Sequence, residues 1–117
     1  MSNTYWIGKQ GEEICCKYLK DNGYCIIERN FHSREGEIDI IAKDKKEWVF
    51  IEVKTRTNSH YGYPAEAVTK WKQEKMLKAV RYYMFIHHLE NAFIRIDAIE
   101  VQIEEETAYI HHIKQVV

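Results

Sequence analysis

Two short segments of branched and aromatic residues carry the charges that most constrain the fold of this chain. The first segment, 36–41, contains Asp39, and the second, 50–54, contains Glu52 and Lys54. Segments of this composition form strands that are covered on at least one face. A carboxylate or an ammonium group in such a strand is costly unless another group pairs with it. The two acids and the lysine therefore predict a cluster kept for chemistry, most simply a divalent-metal site facing a phosphate.

Hydrophobic periodicity and turn residues predict the element order αβββαββ. The expected elements are a helix over 6–21, strands over 24–31, 37–43 and 48–56, a helix from Pro64 to about His88, and strands over 93–103 and 108–113. Short turns join the first three strands, which should be antiparallel, whereas the long helix before the fourth strand permits a parallel connection. The prediction is one α/β domain over 1–117, with a mixed central sheet flanked by helices.

Composition limits the classes of protein to consider. The chain has 117 residues, enough for one domain with one core, and a net charge of −1, which argues against strong nonspecific attraction to nucleic acid. No apolar run approaches the ~20 residues needed to span a bilayer, and no secretion signal is recognisable at the start. The three cysteines show no Cys-x-x-Cys pattern, which fits a reducing compartment. We therefore expect a cytoplasmic protein without a membrane segment.

Strand and helix geometry indicate which charged groups share a face. Glu52 and Lys54 lie two positions apart and point to the same side of their strand, and Asp39 can approach Glu52 if the two strands pair. On the first helix, Glu12 falls at the rim of the apolar arc and Glu13 on the solvent side. Glu12 is therefore the acid that can reach toward the sheet.

Phosphodiester hydrolysis is a chemistry that suits these residue types. Mg²⁺ (or Mn²⁺) prefers oxygen ligands, which Asp39, Glu52 and the carbonyl of Val53 could supply. Lys54 could orient the attacking water, stabilise charge on the phosphate or take part in proton transfer, and the sequence leaves these roles open. The candidate nucleic-acid contacts are Arg56, Lys72, Lys75 and Tyr61. Lys75 belongs to a basic helix ridge with Lys78 and Arg81, and a tyrosine such as Tyr61 could stack on an unpaired base.

Several motifs together resemble a known nuclease superfamily. The matching stretches are Gly8-x-x-Gly11-Glu12, Gly23-Tyr24 with Arg29-Asn30-Phe31, Gly36-Glu37-Ile38-Asp39-Ile40-Ile41, Phe50-Ile51-Glu52-Val53-Lys54-Thr55-Arg56, Gly62-Tyr63-Pro64, Lys72-Gln73 and Arg95-Ile96-Asp97. The chain resembles the PD-(D/E)xK superfamily with its restriction-endonuclease-like fold, and within it the uncharacterised bacterial family typified by YraN. The resemblance implies that Asp39, Glu52 and Lys54 bind metal and drive cleavage. It also matches Glu12 to the helix glutamate of Holliday-junction-resolvase-like members.

The function expected from these residues is that of a Mg²⁺-dependent endonuclease hydrolysing phosphodiester bonds of DNA, including branched or structured forms, and superfamily habits make a homodimer plausible. The alternatives are a non-catalytic nucleic-acid-binding module and a subunit of a larger nuclease complex. For the charged cluster itself, the competing interpretation is a buried ion-pair network that only holds the strands in register. For the lysine ridge, a solvated helix face is the simpler interpretation. Adjacent histidines, as in 87–88 and 111–112, rarely chelate one zinc ion.

Overall fold

The computed structural model describes residues 4–57 and 70–116, with side chains described from residue 7 onward. The elements are helix α1 (Thr4–Asp21), strands β1 (Cys25–Ser33), β2 (Gly36–Asp44) and β3 (Glu47–Arg56), helix α2 (Lys70–Ile86), and strands β4 (Ile94–Glu104) and β5 (Thr107–Ile113). This is the order αβββαββ that the sequence predicts.

The described strands form one mixed sheet in the order β1-β2-β3-β4-β5. β3 and β4 run parallel, and the other neighbouring pairs are antiparallel. The parallel pair requires a crossover connection, which contains α2. A mixed sheet flanked by helices in this order is the arrangement that the restriction-endonuclease-like resemblance implies, so the predicted fold class is confirmed.

The two helices cover opposite faces of the sheet. On one face, α1 packs Cys15 and Leu19 against buried residues of β2, β3 and β4, such as Ile40 and Ile51. On the other face, α2 packs Ala79 and other residues against a second cluster. Tyr83 and Phe50 lie within this second core, as their aromatic character predicts, with ring centroids 5.6 Å apart. Each face of β3 is therefore covered, which explains why its central residues are apolar on both sides.

Helix α1 is held close to β3 by a glycine. A Cβ atom built on Gly11 would overlap the Thr55 side chain, so only glycine allows this approach. The helix ends at Gly23, which has a φ of 90°. The Tyr24 N–H donates to the Leu19 carbonyl at 2.9 Å and the Gly23 N–H to the Lys20 carbonyl at 3.1 Å, the pattern of a Schellman motif. The close approach of Gly11 to Thr55 therefore sets the distance between α1 and β3, and the Schellman motif at Gly23 ends the helix.

Helix α2 differs from its prediction at one end. It ends at Ile86 rather than about His88, because His88 adopts a φ of 57° and the Leu89 N–H turns back to the Met84 carbonyl at 2.8 Å. Histidine is among the residues that tolerate this left-handed conformation, so a helix stop without glycine was difficult to foresee. The predicted start at Pro64 lies outside the described residues.

Candidate active site

The hydrogen-bonded pairing of β2 with β3 ends beside Asp39. The last paired residues are Ile40 and Ile51, and continuing that register would place Asp39 opposite Glu52. Instead, the Asp39 Oδ2 atom accepts a hydrogen bond from the Val53 N–H at 2.8 Å. The carboxylate therefore takes the place of a backbone acceptor at the point where the ladder stops.

The alternation of β2 also breaks at Asp39. Ile38 packs in the α2 core and Ile40 in the α1 core, although residues two apart on a regular strand share a face. On the neighbouring strand, Asn30 has a φ of 55° and interrupts the regular backbone at the same level. Asp39 therefore reaches sideways toward β3 instead of pointing into either core.

Two cavities meet at Asp39. The first, which we call the α2-side cavity, has a volume of about 360 Å³. Its lining residues are Gly36, Glu37, Asp39, Glu52, Trp71, Lys72, Lys75 and Met76. The second, the α1-side cavity, has a volume of about 220 Å³ and is lined by Ile7, Gly8, Glu12, Asp39, Val53, Lys54 and Thr55. Nearly all of the residues predicted for catalysis, metal binding or phosphate contact thus surround one carboxylate, divided between two openings.

The surroundings of Asp39 disfavour the ionised form of its carboxyl group. Burial, the largest cause, and the nearby carboxylates of Glu12, Glu52 and Glu37 together raise the pKa of its carboxyl from 3.8 to about 6. The hydrogen bond from the Val53 N–H acts in the opposite direction and lowers the pKa. A buried carboxylate among other carboxylates is stabilised when a cation approaches it. The arrangement therefore has the electrostatics of a cation-binding position.

The sequence profile of Uncharacterised protein family UPF0102 matches residues 11–101, which include every residue of this arrangement except Ile7 and Gly8. The chain belongs to the UPF0102 family. The YraN-like resemblance is thereby confirmed. A UPF0102 protein of Clostridium botulinum (strain Loch Maree / Type A3) is 52% identical over 96 residues, covering 81% of this chain and 78% of the relative. One from Geobacter metallireducens is 43% identical over 107 residues, covering 92% of this chain and 88% of that protein.

Solved structures of more distant proteins share only weak similarity with this UPF0102 chain. SfsA of Pyrococcus furiosus, solved in complex with Ca²⁺, is 18% identical with a TM-score of 0.44, and the match covers 96% of this chain and 64% of that chain. The protein SSO0001 is 18% identical with a TM-score of 0.39, covering 99% of this chain and 54% of that chain. The chain thus spans less than two thirds of the length of either protein.

Glu52 lies in the α2-side cavity with a basic partner. The Lys72 Nζ atom is 3.3 Å from Glu52 Oε2, and both side chains are about one quarter to one third exposed. The prediction that Lys72 leans toward the cleft is in agreement with this contact. The second oxygen, Glu52 Oε1, has no partner in any described contact. The ammonium group of Lys72 places one positive charge at the wall of the cavity.

Glu12 lies at the mouth of the α1-side cavity. Its side chain is 16% exposed, whereas that of Glu13 is 66% exposed, in agreement with the helix geometry. Arg29 lies between them, with its Nη2 atom 3.7 Å from Glu12 Oε1 and its Nη1 atom 3.2 Å from Glu13 Oε1. Among the described residues, the buried Glu12 Oε1 atom has no hydrogen-bond partner. This oxygen is an orphaned acceptor on a residue that lines the same cavity as Asp39.

Val53 and Lys54 lie beside Asp39 in the α1-side cavity. The N–H and C=O of a strand residue point to the same side, so the Val53 carbonyl is also directed to the gap where the ladder with β2 has ended. Lys54 is half-buried and forms no ion pair with any described residue. It borders a different cavity from Glu52, so the shared side predicted for the two does not place them in one pocket.

The predicted nucleic-acid contacts have different surroundings. Arg56 is 18% exposed, and its Nε atom is 2.8 Å from the buried Glu100 carboxylate, with which it forms a salt bridge between β3 and β4. Lys75 is exposed at the cavity wall, and its Nζ atom lies 4.8 Å from the centroid of the Trp71 ring. Tyr61 lies outside the described residues.

Trp71 itself was missed by the sequence reasoning, although its position directly before Lys72 was the available signal.

A second polar cluster, also missed, lies away from these cavities. Asp97 is fully buried and accepts hydrogen bonds from Arg95 Nε at 2.9 Å and the Gln115 N–H at 3.0 Å. His112 Nε2 lies 2.7 Å from Asp97 Oδ2, and its Nδ1 atom lies 2.8 Å from the Tyr18 hydroxyl oxygen. These contacts lower the pKa of Asp97 against the opposing effect of burial. The sequence signal for this cluster was the acid Asp97 within the largely apolar segment 94–103.

The described part of the chain lacks two features, a cluster of three metal-ligating side chains and a membrane-spanning helix. Within residues 4–57 and 70–116, no three His, Cys, Asp or Glu side chains come together in a way that could hold a metal ion. In the same residues, no helix has the length and apolar character required to cross a membrane.

Proposed function

We propose that this UPF0102 protein is a divalent-metal-dependent nuclease that hydrolyses phosphodiester bonds of DNA. The observation that carries the proposal is the position of Asp39. This half-buried carboxylate lies where the β2–β3 ladder ends, between two cavities, with three further acids and three lysines bordering them. A purely structural carboxylate would gain nothing from the neighbouring acids that raise its pKa.

The donor groups present fit Mg²⁺ or Mn²⁺. Asp39 retains Oδ1 when Oδ2 accepts the Val53 N–H, Glu52 retains Oε1 when Oε2 contacts Lys72, and the Val53 carbonyl adds a neutral oxygen. Hard cations of this kind are commonly held by one or two carboxylates, with water and substrate phosphate completing the coordination. When bound, the ion would polarise the phosphate and lower the pKa of a coordinated water. Glu12, with its orphaned oxygen, would accept a hydrogen bond from a water near Asp39.

The lysines would supply the positive charge that the phosphate needs. Lys72 and Lys75 border the α2-side cavity, where they would contact the phosphate backbone and position it. Lys54 borders the α1-side cavity, where its ammonium group would orient the attacking water or stabilise the charge that develops on the phosphate. Because Lys72 is paired with Glu52, cation binding at Glu52 would compete with this ion pair.

The proposal includes DNA as substrate, with branched or structured forms as the first candidates, and a cytoplasmic location, which the three free thiols suit. The test incubates the pure protein with linear, nicked and four-way-junction DNA in Mg²⁺ or Mn²⁺. Cleavage is expected for the wild type and should fall by at least 100-fold in Glu52→Gln and Lys54→Gln, as typically happens when one electrostatic group is removed. The exposed residues Glu106 and Lys46 provide matched control variants, Glu106→Gln and Lys46→Gln. Equal cleavage by site and control variants, or none by any of them, would refute the proposal.

A second candidate is a nucleic-acid-binding module without turnover. One observation favours it: the Asp39 and Glu52 carboxylates already have partners within the protein, the Val53 N–H and Lys72, as in a network that only holds strands in register. DNA binding that persists in EDTA and survives Asp39→Ala, without cleavage in any divalent metal, would identify this function.

A further inference from the structure

One stripe of exposed side chains on α2 combines aromatic residues at its two ends with basic residues between them. The members of this α2 stripe are Trp71, Lys75, Lys78, Tyr82 and Phe85. Their spacing of three or four residues places all five within about 40° of one line along the helix. All five are exposed. Exposed aromatic rings on a soluble protein are costly unless they meet a ligand or a partner.

The stripe is continuous with the candidate active site. Its first two members, Trp71 and Lys75, form part of the α2-side cavity beside Asp39 and Glu52. Its later members border two further concavities, of about 310 and 670 Å³, which lie between α2 and the β1–β2 turn. From Trp71 to Phe85 the helix rises about 21 Å. The three openings thus form a track that leads away from the site along one side of α2.

Charge along the track favours an anion. Lys75 and Lys78 are within the stripe, Arg81 flanks it at the 310 Å³ concavity, and Arg34 borders the 670 Å³ concavity. The two later concavities contain one acid, Glu35, against Lys78, Arg81 and Arg34. The exposed Glu74 precedes Lys75 on α2, and the α2-side cavity also holds Glu37, Asp39 and Glu52. The cations therefore outnumber the acids in the two later concavities, although the whole chain has a net charge of −1.

We propose that the α2 stripe binds a single-stranded nucleic-acid segment that enters or leaves the candidate active site. Single strands are held by aromatic rings that stack on unpaired bases and by cations that follow the phosphates, and the α2 stripe presents both. A duplex would offer its phosphates but not the faces of its bases. At about 3.4 Å per nucleotide, 21 Å accommodates about six nucleotides. The inference rests on the proposed function and narrows its substrate to DNA with an unpaired strand, such as a flap, tail or open junction.

The test measures binding without catalysis. Fluorescein-labelled dT20 and a 20-base-pair duplex are titrated with the full chain in EDTA, over a series of salt concentrations. Phe85→Ala should weaken dT20 binding at least fivefold and leave duplex binding unchanged within twofold, because one stacking contact is worth about this much or more. Phe93→Ala is the matched control, since Phe93 is 73% exposed and Phe85 68% exposed, but Phe93 lies outside the stripe.

A second pair of variants tests the phosphate contacts. Lys78→Gln should reduce the slope of log K against log salt for dT20 by about 0.7, the contribution of one phosphate contact on a single strand. The control Lys46→Gln, in the exposed β2–β3 turn, should leave the slope unchanged. Both substitutions are at exposed positions, so neither should impair folding, and circular dichroism verifies this.

The outcomes separate this inference from the proposed function. Equal effects of Phe85→Ala and Phe93→Ala on dT20, or no dT20 binding by the wild type at low salt, would overturn the inference even if duplex DNA is cleaved. Stripe-dependent dT20 binding without cleavage in any metal would support the stripe and refute the nuclease. If sedimentation shows a dimer that Phe85→Ala dissociates while dT20 binding is unaffected, the stripe is a self-association surface and the inference is wrong.

Discussion

Replacement of Asp39 by asparagine should stabilise the metal-free protein at alkaline pH while abolishing its function. Burial and the neighbouring acids raise the pKa of this carboxyl from 3.8 to about 6. Because the folded pKa lies above the unfolded value, the stability that the protonated form contributes is complete below about pH 4. It is lost as the pH rises through about 6. The ionised side chain therefore opposes folding at pH 8.

The magnitude follows from the size of the shift. About two pKa units at 1.36 kcal/mol each give a cost of up to about 3 kcal/mol, of which roughly 1.5 kcal/mol develops between pH 5 and pH 8. In Asp39→Asn the amide oxygen can still accept the Val53 N–H, which the carboxylate accepts at 2.8 Å. The variant should therefore be about 1–3 kcal/mol more stable than the wild type at pH 8, with a smaller difference at pH 5.

Urea unfolding in EDTA at pH 5 and pH 8 measures both differences. Asp21→Asn is the matched control, because Asp21 is exposed and its ion pair among the described residues is with Lys17 on the helix surface, so its effect should stay within about 0.5 kcal/mol. Excess Mn²⁺ should then stabilise the wild type and not Asp39→Asn. If the pH dependence of Asp39→Asn parallels that of the wild type, or if the variant is less stable at pH 8, the carboxylate is not desolvated and the reasoning fails.

Two further perturbations test the packing around the site and the second polar cluster. Gly11→Ala should cost about 1–3 kcal/mol of unfolding free energy, because the added methyl group overlaps a β3 side chain. Gly8→Ala is the control, because no described atom lies within 4 Å of the new methyl group. It should be neutral or should stabilise the protein by up to about 1 kcal/mol. Equal effects of the two in urea unfolding would contradict the close approach of α1. Asp97→Asn should cost about 1–3 kcal/mol by the same assay, because it removes the buried charge that Arg95 and His112 contact and leaves Arg95 with the more distant acids Glu47 and Asp44; a cost as small as that of Asp21→Asn would show that the cluster is not cohesive.

The fold could be predicted from the sequence because its signals are local. Strand alternation, hairpin-length turns and helix periodicity give the element order, and the apolar faces of α1 and β3 place the core. The same helix geometry separates Glu12 from Glu13, whose burial differs as expected. The end of α2 was predicted at about His88 and lies at Ile86; the left-handed histidine that ends it has no glycine signal in the sequence.

The candidate site could be predicted in its membership but not in its geometry. Alternation alone places Asp39 on a regular strand, whereas the structure interrupts β2 there and turns the carboxylate to the Val53 N–H. The interruption depends on the packing of Ile38 and Ile40 against different helices, which is a tertiary effect. For the same reason, pairing of Lys72 with Glu52 and the separation of Lys54 into another cavity could not be read from spacing.

The central claim is that Asp39 and Glu52 jointly bind a divalent cation. Crystals of the wild type soaked in Mn²⁺, with data collected at the manganese edge, test it most directly. The account predicts one anomalous peak within coordination distance, about 2.0–2.3 Å, of an Asp39 oxygen and a Glu52 oxygen, and no peak there in Asp39→Asn crystals. A wild-type crystal saturated with Mn²⁺ that shows no density between these two carboxylates would contradict it.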